Sequence, residues 1–311
     1  MKIKEFIKKY MIGLTFSLLI CIVSVSAITY FDSKNVTYSN ETTGMSSINV
    51  QDAVNELYNV CFPPTIGDTI LEDVPIVSSG DGLYKDEYEE GRYFYKGKNV
   101  NNYITFNNET WRIVSVEPNK TIKIMKNTSI GNRVWDAGGG TYGSTNWARP
   151  ADLNTYLNST YYSELNSIAQ NQIMPKDWNI GLVTYNNNDL ADQINKEKET
   201  IWNGKVALVT ASEYIRSNSN QSSCGNINQV YESSNCGTTT WMHNSTSWWT
   251  LTPCGKERYV YSISSDSIYG GGYFDGSDAD SGHGVRPAVY LSSSVEITGG
   301  NGSSSSPYIL G

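Results

Sequence analysis

The run Thr110-Trp111-Arg112-Ile113-Val114-Ser115-Val116, followed after Glu117-Pro118-Asn119-Lys120 by Thr121-Ile122-Lys123-Ile124-Met125, sets the character of the first half of the chain. Two stretches of β-branched and aromatic residues separated by a Pro-Asn turn read as consecutive strands. Arg112, Val114 and Val116 alternate with Trp111, Ile113 and Ser115, and apolar residues occupy both sets, which predicts a largely buried strand. Upstream, Arg92-Tyr93-Phe94-Tyr95 and Asn102-Tyr103-Ile104-Thr105-Phe106 repeat the pattern. Downstream the period changes. Leu153, Tyr156 and Leu157 share a helical face after Pro150, Leu165 and Ile168 continue it, and Leu190 with Ile194 marks another helix. Lys205 to Val209 reads as a strand and Ala211 to Arg216 as a short helix. The last third returns to strands at Trp248–Leu251, Tyr259–Ile263 and Val285–Leu291. Strands, then helices, then strands, without βαβ alternation, predict an α+β fold with an antiparallel sheet.

The amino terminus has another character. Lys2, Lys4, Lys8 and Lys9 precede an uncharged run from Met11 to Phe31. That length, about 20 residues, spans a bilayer, and the preceding lysines put the remainder of the chain outside. Val25-Ser26-Ala27 also offers a cleavage site, so the segment is either a retained anchor or an export signal cut after Ala27. The expected organisation is therefore a signal or anchor at 1–31, a spacer at 32–83, a main domain at 84–297 and a Gly/Ser-rich tail at 298–311, flexible from Thr298 to Ser306 and leading to a short Pro307-Tyr308-Ile309-Leu310 end. Within the spacer, Val50, Val54 and Leu57 mark a short amphipathic helix at about 48–60, capped by Ser47 or Asn49 and stopped by Pro63-Pro64. The expected location is the cell membrane, with one pass through residues 11–31 and an extracellular C-terminal domain, or secretion if the signal is cut.

Composition agrees with that compartment. Charged residues make up 17% of the 311, and Tyr (22), Trp (8), Asn, Ser and Gly fill the difference. Without residues 1–28 the chain keeps 19 basic and 30 acidic groups, a net charge of −11. Such a field argues against nucleic acid as a partner. Four cysteines follow the amino-terminal segment: Cys61, Cys224, Cys236 and Cys254. Outside the cytoplasm they suggest disulfides, and Cys224 with Cys236, which bracket a Ser/Asn-rich loop, are the expected pair. No C-x-x-C pair accompanies His243 and His283, which speaks against zinc.

Catalytic patterns are absent from the sequence. Neither histidine adjoins a G-x-S-x-G elbow, Gly138-Gly139-Gly140 lacks the context of a phosphate loop, and no catalytic residue is assigned. Two features of the last third suit binding. Tyr269, Tyr273, Phe274 and Asp275 stand among Ser, Gly and Asp, the mixture that builds adaptable recognition loops. Asp275, Asp278 and Asp280 crowd oxygen ligands of the kind Ca²⁺ takes, without the spacing of a known calcium loop. Calcium is the one cofactor these residues suggest.

The ordered set Trp111-Arg112-Ile113-Val114, Trp147 before Leu153-Asn154-Thr155-Tyr156-Leu157-Asn158, Val206-Ala207-Leu208-Val209 with Glu213-Tyr214, Trp248-Trp249-Thr250-Leu251-Thr252-Pro253 and Gly284-Val285-Arg286-Pro287-Ala288 resembles an uncharacterised surface-protein domain of low-GC Gram-positive gut bacteria. The Trp-Trp segment with a closing Gly-Val-Arg-Pro strand also resembles the C-type-lectin-like fold shared by formylglycine-generating enzymes and retroelement-diversified display proteins. The resemblance implies a twisted antiparallel sheet, flanking helices and a binding loop region before the last strand. It implies close backbone approach at Gly284 and a buried hydrogen-bonding anchor at Arg286. Cys254 stands alone where the enzymes carry a cysteine pair, so their oxidase motif is incomplete here. The reading expected from all of this is an adhesin-like or display protein whose partner is a glycan or another surface protein. The alternatives are a formylglycine-generating-enzyme-like catalyst with altered chemistry and a structural protein assembling surface subunits.

Overall fold

A computed structural model describes residues 36–37, 46–61, 64–137, 146–148, 151–184, 189–232, 235–244, 246–255, 258–265 and 274–311. The expected membrane segment at 11–31 and the candidate binding residues Tyr269 and Tyr273 lie outside them. No helix among the described residues is long and apolar enough to cross a membrane. The chain divides into two compact units, Met1–Pro64 and Thr65–Gly311.

The first unit contains the expected amphipathic helix, Val50–Cys61. Asn49 is its cap, because its side-chain oxygen accepts from the Asp52 amide at 2.8 Å. Ser47 serves differently. Its hydroxyl and the amides of Ser46 and Ser47 donate to Glu56, and these bonds, the Ser47 hydroxyl first, hold that carboxyl below its ordinary pKa.

The second unit is mixed α+β, with a curled half-barrel sheet and a few helices. Its strands are β1 (Gly82–Lys85), β2 (Tyr93–Lys96), β3 (Tyr103–Phe106), β4 (Glu109–Val116), β5 (Ile122–Lys126) and β6 (Asn132–Val134). The middle of the chain adds β7 (Ile173–Met174), β8 (Lys176–Asn179), β9 (Ile201–Gly204) and β10 (Val206–Ala207). The last third supplies β11 (Trp248–Pro253), β12 (Tyr259–Ile263), β13 (Phe274–Asp278), β14 (Gly282–Gly284), β15 (Ala288–Leu291), β16 (Ile297–Gly299) and β17 (Tyr308–Leu310). The large sheet runs β10-β15-β5-β4-β3-β17-β16, with β2 and β1 continuing from β4 and β7 beside β15. The second sheet runs β13-β12-β11-β14-β6, and β8 pairs with β9.

Local chemistry explains the first hairpins. Asn107 and Asn108 join β3 to β4 with φ of 53° and 59°, the two-residue turn with both φ positive that asparagine tolerates and that matches strand twist. Lys120, at φ 65°, closes the turn between β4 and β5, where the Glu117 amide donates to the Thr121 carbonyl at 2.8 Å. As expected, β4 is buried from Trp111 to Val116. Its alternation is interrupted, however. Ile113 pairs with Ile124 while Ser115 pairs with Lys123, so β4 holds one extra residue, a bulge, at Val114.

The tail is the main correction to the organisation expected from sequence. Instead of hanging free, β17 pairs in parallel with β3 and in antiparallel with β16, and Tyr308 is buried. The glycines that suggested flexibility make the turn: Gly302, at φ 73°, sits where a side chain would collide with the Asn101 carbonyl. The compact unit also begins earlier than residue 84. The helix Ile66–Asp73, opened by a reciprocal Thr65–Asp68 capping box, buries Ile66 and Ile70. In the helical middle, Asp152–Tyr156 runs through a wider turn to Glu164, and a separate helix spans Ser167–Gln172. Ile168, expected on the apolar face, is 66% exposed, and Ala169 is buried in its place.

Two segments join the sheets. Trp248 and Trp249, both fully buried, begin β11. The closing Gly-Val-Arg-Pro segment leaves β14, which lies parallel to β11 with Gly284 opposite Trp248, and enters β15 in the large sheet. A Cβ at Gly284 would stand 2.7 Å from the Ser247 carbonyl oxygen, so the close approach expected there is real.

Candidate functional site

The junction between the sheets leaves a cavity of about 430 Å³. Its lining comes from far apart in the chain. Lys98 and Tyr103 come from β3 and its approach, Arg112 from β4, and Asn127 to Ser129 from the end of β5. Trp241, His243, Asn244 and Thr246 precede β11, and Arg286 sits between β14 and β15.

Arg112 and Arg286 are held in place by backbone carbonyls and ring faces. Arg286, 1% exposed, donates through Nε to the Lys126 carbonyl at 3.1 Å and through Nη1 to that of Met242. Arg112, 5% exposed, donates through Nε to Asn102 Oδ1 and through Nη2 to the Val100 carbonyl at 3.2 Å. Its guanidinium lies over Tyr103 and Trp241, and that of Arg286 over Trp248. Lys98 is exposed and donates to the Gly237 carbonyl. Among the described residues no Asp or Glu lines the cavity. Burial therefore pushes Arg112 down to about 10 and Arg286 to about 9, the neighbouring Arg112 charge adding to the second shift. His243 falls to about 4 through burial and the charges of Lys98 and Arg286, so its ring is neutral at pH 7. Its buried Nδ1 has no hydrogen-bond partner among the described residues. This is a cationic pocket in an acidic protein, faced by rings, amides and hydroxyls.

A second cleft, of about 300 Å³, is lined by both cations and acids. Arg92 donates to Glu117 at 3.1 Å and Glu213 at 2.9 Å, Lys123 meets both Glu213 oxygens at 2.7 Å, and Arg216 pairs with Asp86 at 2.7 Å. Burial alone would raise the Glu213 pKa, but Lys123 and Arg92 outweigh it and hold the carboxyl down to about 2. Charges here satisfy one another and tie β2, β4 and β5 to the helix Ala211–Arg216. Glu197 is similarly structural. Closed off from solvent, it accepts from the Ser212 amide and hydroxyl and from Thr252 Oγ1, linking two helices to β11.

None of the described residues singled out from sequence as binding or metal-ligating lines the cationic cavity. Phe274 and Asp275 fall in β13, the edge strand of the second sheet, whose backbone pairs with β12. Asp278 ends that strand and pairs with Arg258 at 3.2 Å, while Asp280 is exposed in the turn beyond it. Among the described residues no three His, Cys, Asp or Glu side chains are grouped to hold a metal. Cys224 and Cys236 form the expected disulfide. Cys254 is buried at the end of β11, where its amide donates to the Tyr259 carbonyl. Of the two histidines, His283 packs edge-on against Trp249 at 4.4 Å, and His243 enters the cavity lining. The sequence places Arg112 in a buried strand and the resemblance makes Arg286 an anchor; neither reading brings them to one site with His243. The available signal was an arginine inside an otherwise apolar strand.

Together these features define a mixed α+β domain with a cationic cavity where two sheets meet. Residues 119–293 match the family described as domain of unknown function DUF6273, and the chain belongs to that family. No curated protein and no solved structure matches it.

Proposed function

We propose that this is a bacterial cell-surface protein that binds a ligand, a glycan or another surface protein, through a C-type-lectin-like ectodomain anchored or exported by residues 1–31. The observation that carries this reading is the open cavity walled by Tyr103, Trp241 and His243 and rimmed by amides and hydroxyls. Rings offering flat apolar area beside side-chain amides suit a polar, ring-shaped ligand. The lectin-like assignment is supported by the buried Trp248-Trp249 strand, by Gly284 paired beside it and by Arg286 anchoring the closing segment.

The test is binding of the full-length chain to a broad glycan and mucin array, with calcium and then with EDTA. Saturable binding to a defined glycan set supports the proposal. Loss of that binding in EDTA would place Ca²⁺ at Asp275, Asp278 and Asp280. Silence across the array, together with no capture of a surface protein, would refute ligand binding.

A further inference from the structure

The cavity at the sheet junction collects positive charge that the protein does not neutralise. Arg112 and Arg286 are almost wholly buried, yet no carboxylate among the described residues lines their cavity. Taking a cation out of water is costly unless a counter-charge or a full set of hydrogen bonds replaces the solvent. Only part of that replacement is present. The hydrogen bonds to the protein engage Nε and Nη2 of Arg112 and Nε and Nη1 of Arg286. Lys98 adds a third cation at the mouth, and the buried Nδ1 of His243 is left unsatisfied beside them.

Contrast with the neighbouring cleft is instructive. There, Arg92, Lys123 and Arg216 each meet a carboxylate of the protein itself. The same fold thus pairs its buried cations in one place and leaves them unpaired in another. An arginine fork presents parallel donors matched to the two oxygens of a planar anion. The remaining wall, Tyr103, Trp241, Asn99 and Asn127, presents ring faces and amides that suit the hydroxyl-bearing ring of a sugar. The volume, about 430 Å³, lies within the range of small-molecule sites and admits a ligand of one or two rings.

We infer that the cavity bounded by Lys98, Arg112 and Arg286 binds the carboxylate or sulfate group of an acidic saccharide. This rests on the reading of the protein as a ligand-binding domain and names the chemistry of the ligand. An acidic protein with one cationic pocket also gains selectivity: its surface repels polyanions at large, and only an anion small enough to enter reaches the arginines.

The experiment is a titration of the full-length chain with glucuronate, N-acetylneuraminate, galactose 6-sulfate, the neutral sugars glucose and galactose, and inorganic sulfate. It is read by calorimetry and by the imidazole resonances, which belong to His243 and His283 and are assigned with His283→Gln. The expected result is binding of at least one acidic sugar that shifts the His243 signals, with its neutral counterpart weaker by about 30-fold or more. Lys98→Gln, a change at an exposed position, should weaken that binding several-fold without altering the thermal midpoint. Arg112→Met should abolish it, and the unaltered midpoint of Lys98→Gln keeps the test valid if Arg112→Met folds poorly. A neutral sugar binding as tightly as the acidic one would overturn the anion inference while leaving ligand binding intact. Acidic-sugar binding that leaves His243 unmoved or ignores Lys98→Gln would overturn the site. Inorganic sulfate binding as tightly as any acidic sugar would overturn the saccharide and leave a simple anion. No binding by any probe would overturn the inference outright, and the glycan array then decides separately whether the domain binds a ligand at all.

Discussion

Arg112 and Tyr103 face each other across the β3–β4 ladder, with the guanidinium 3.7 Å from the centre of the tyrosine ring. The pairing places a buried cation against a ring face, and Trp241 lies on it as well at 5.0 Å. A cation desolvated over rings gains about 2 kcal/mol. Tyr103→Leu, which keeps apolar bulk but removes the ring, should therefore lower unfolding free energy by about 1–3 kcal/mol, measured by urea denaturation. A change below 0.5 kcal/mol would show that Arg112 is held by Asn102 and the Val100 carbonyl alone.

Acid stability should depend on Glu213. Its carboxyl sits well below its ordinary value of 4.5 in the fold, at about 2, because Lys123 and Arg92 surround it. A group depressed in this way contributes stability that is complete above its unfolded pKa and is lost as pH falls through the folded one. The urea midpoint should hold down to about pH 4.5 and then fall toward pH 2. Glu213→Gln should flatten that acid limb. At neutral pH the same variant strands the buried Lys123, while Arg92 keeps Glu117, and should cost about 3–5 kcal/mol.

The Cys224–Cys236 disulfide closes a segment of sequence separation 12 that includes the helix Ile227–Glu232. Cross-linking a loop of that length stabilises by about 3 kcal/mol in the chain-entropy account. Reduction, or the double variant Cys224→Ser/Cys236→Ser, should lower the thermal midpoint by several degrees. Equal midpoints with and without reductant would mean that the Asn218 bond to the Cys236 carbonyl, at 2.8 Å, already holds the segment.

Removal of the tail provides a direct comparison between a flexible appendage and a sheet strand. Tyr308→Ala empties a buried position beside Ile104, its partner in the register, and should cost about 3 kcal/mol. Truncation after Ile297 should be worse, because it also bares the edge of β3. An unchanged urea midpoint in both would contradict the role of β17.

Much of the fold was legible in the sequence because its strongest signals are local. Trp111 to Val116 read as a buried strand from residue type alone, Ala211–Arg216 read as a short helix, and the turn at Glu117 to Lys120 contained its own Pro and Asn. The tail misled for a physical reason. Glycine and serine confer flexibility when nothing pairs the backbone, and here β3, some 200 residues earlier, does so.

The cavity was illegible for the same reason in stronger form. Arg112 and Arg286 each had a sufficient reading as strand member and anchor, and nothing local linked them to Lys98 or His243. By itself the sequence determined the α+β class, the excess of acidic groups and the Cys224–Cys236 pairing, since composition, period and short spacing are properties of the chain. Only the tertiary structure decided that three cations share one cavity with no acid among its described lining residues. Electrostatic energy depends on distance in space and on loss of solvent, and neither exists until the two sheets meet.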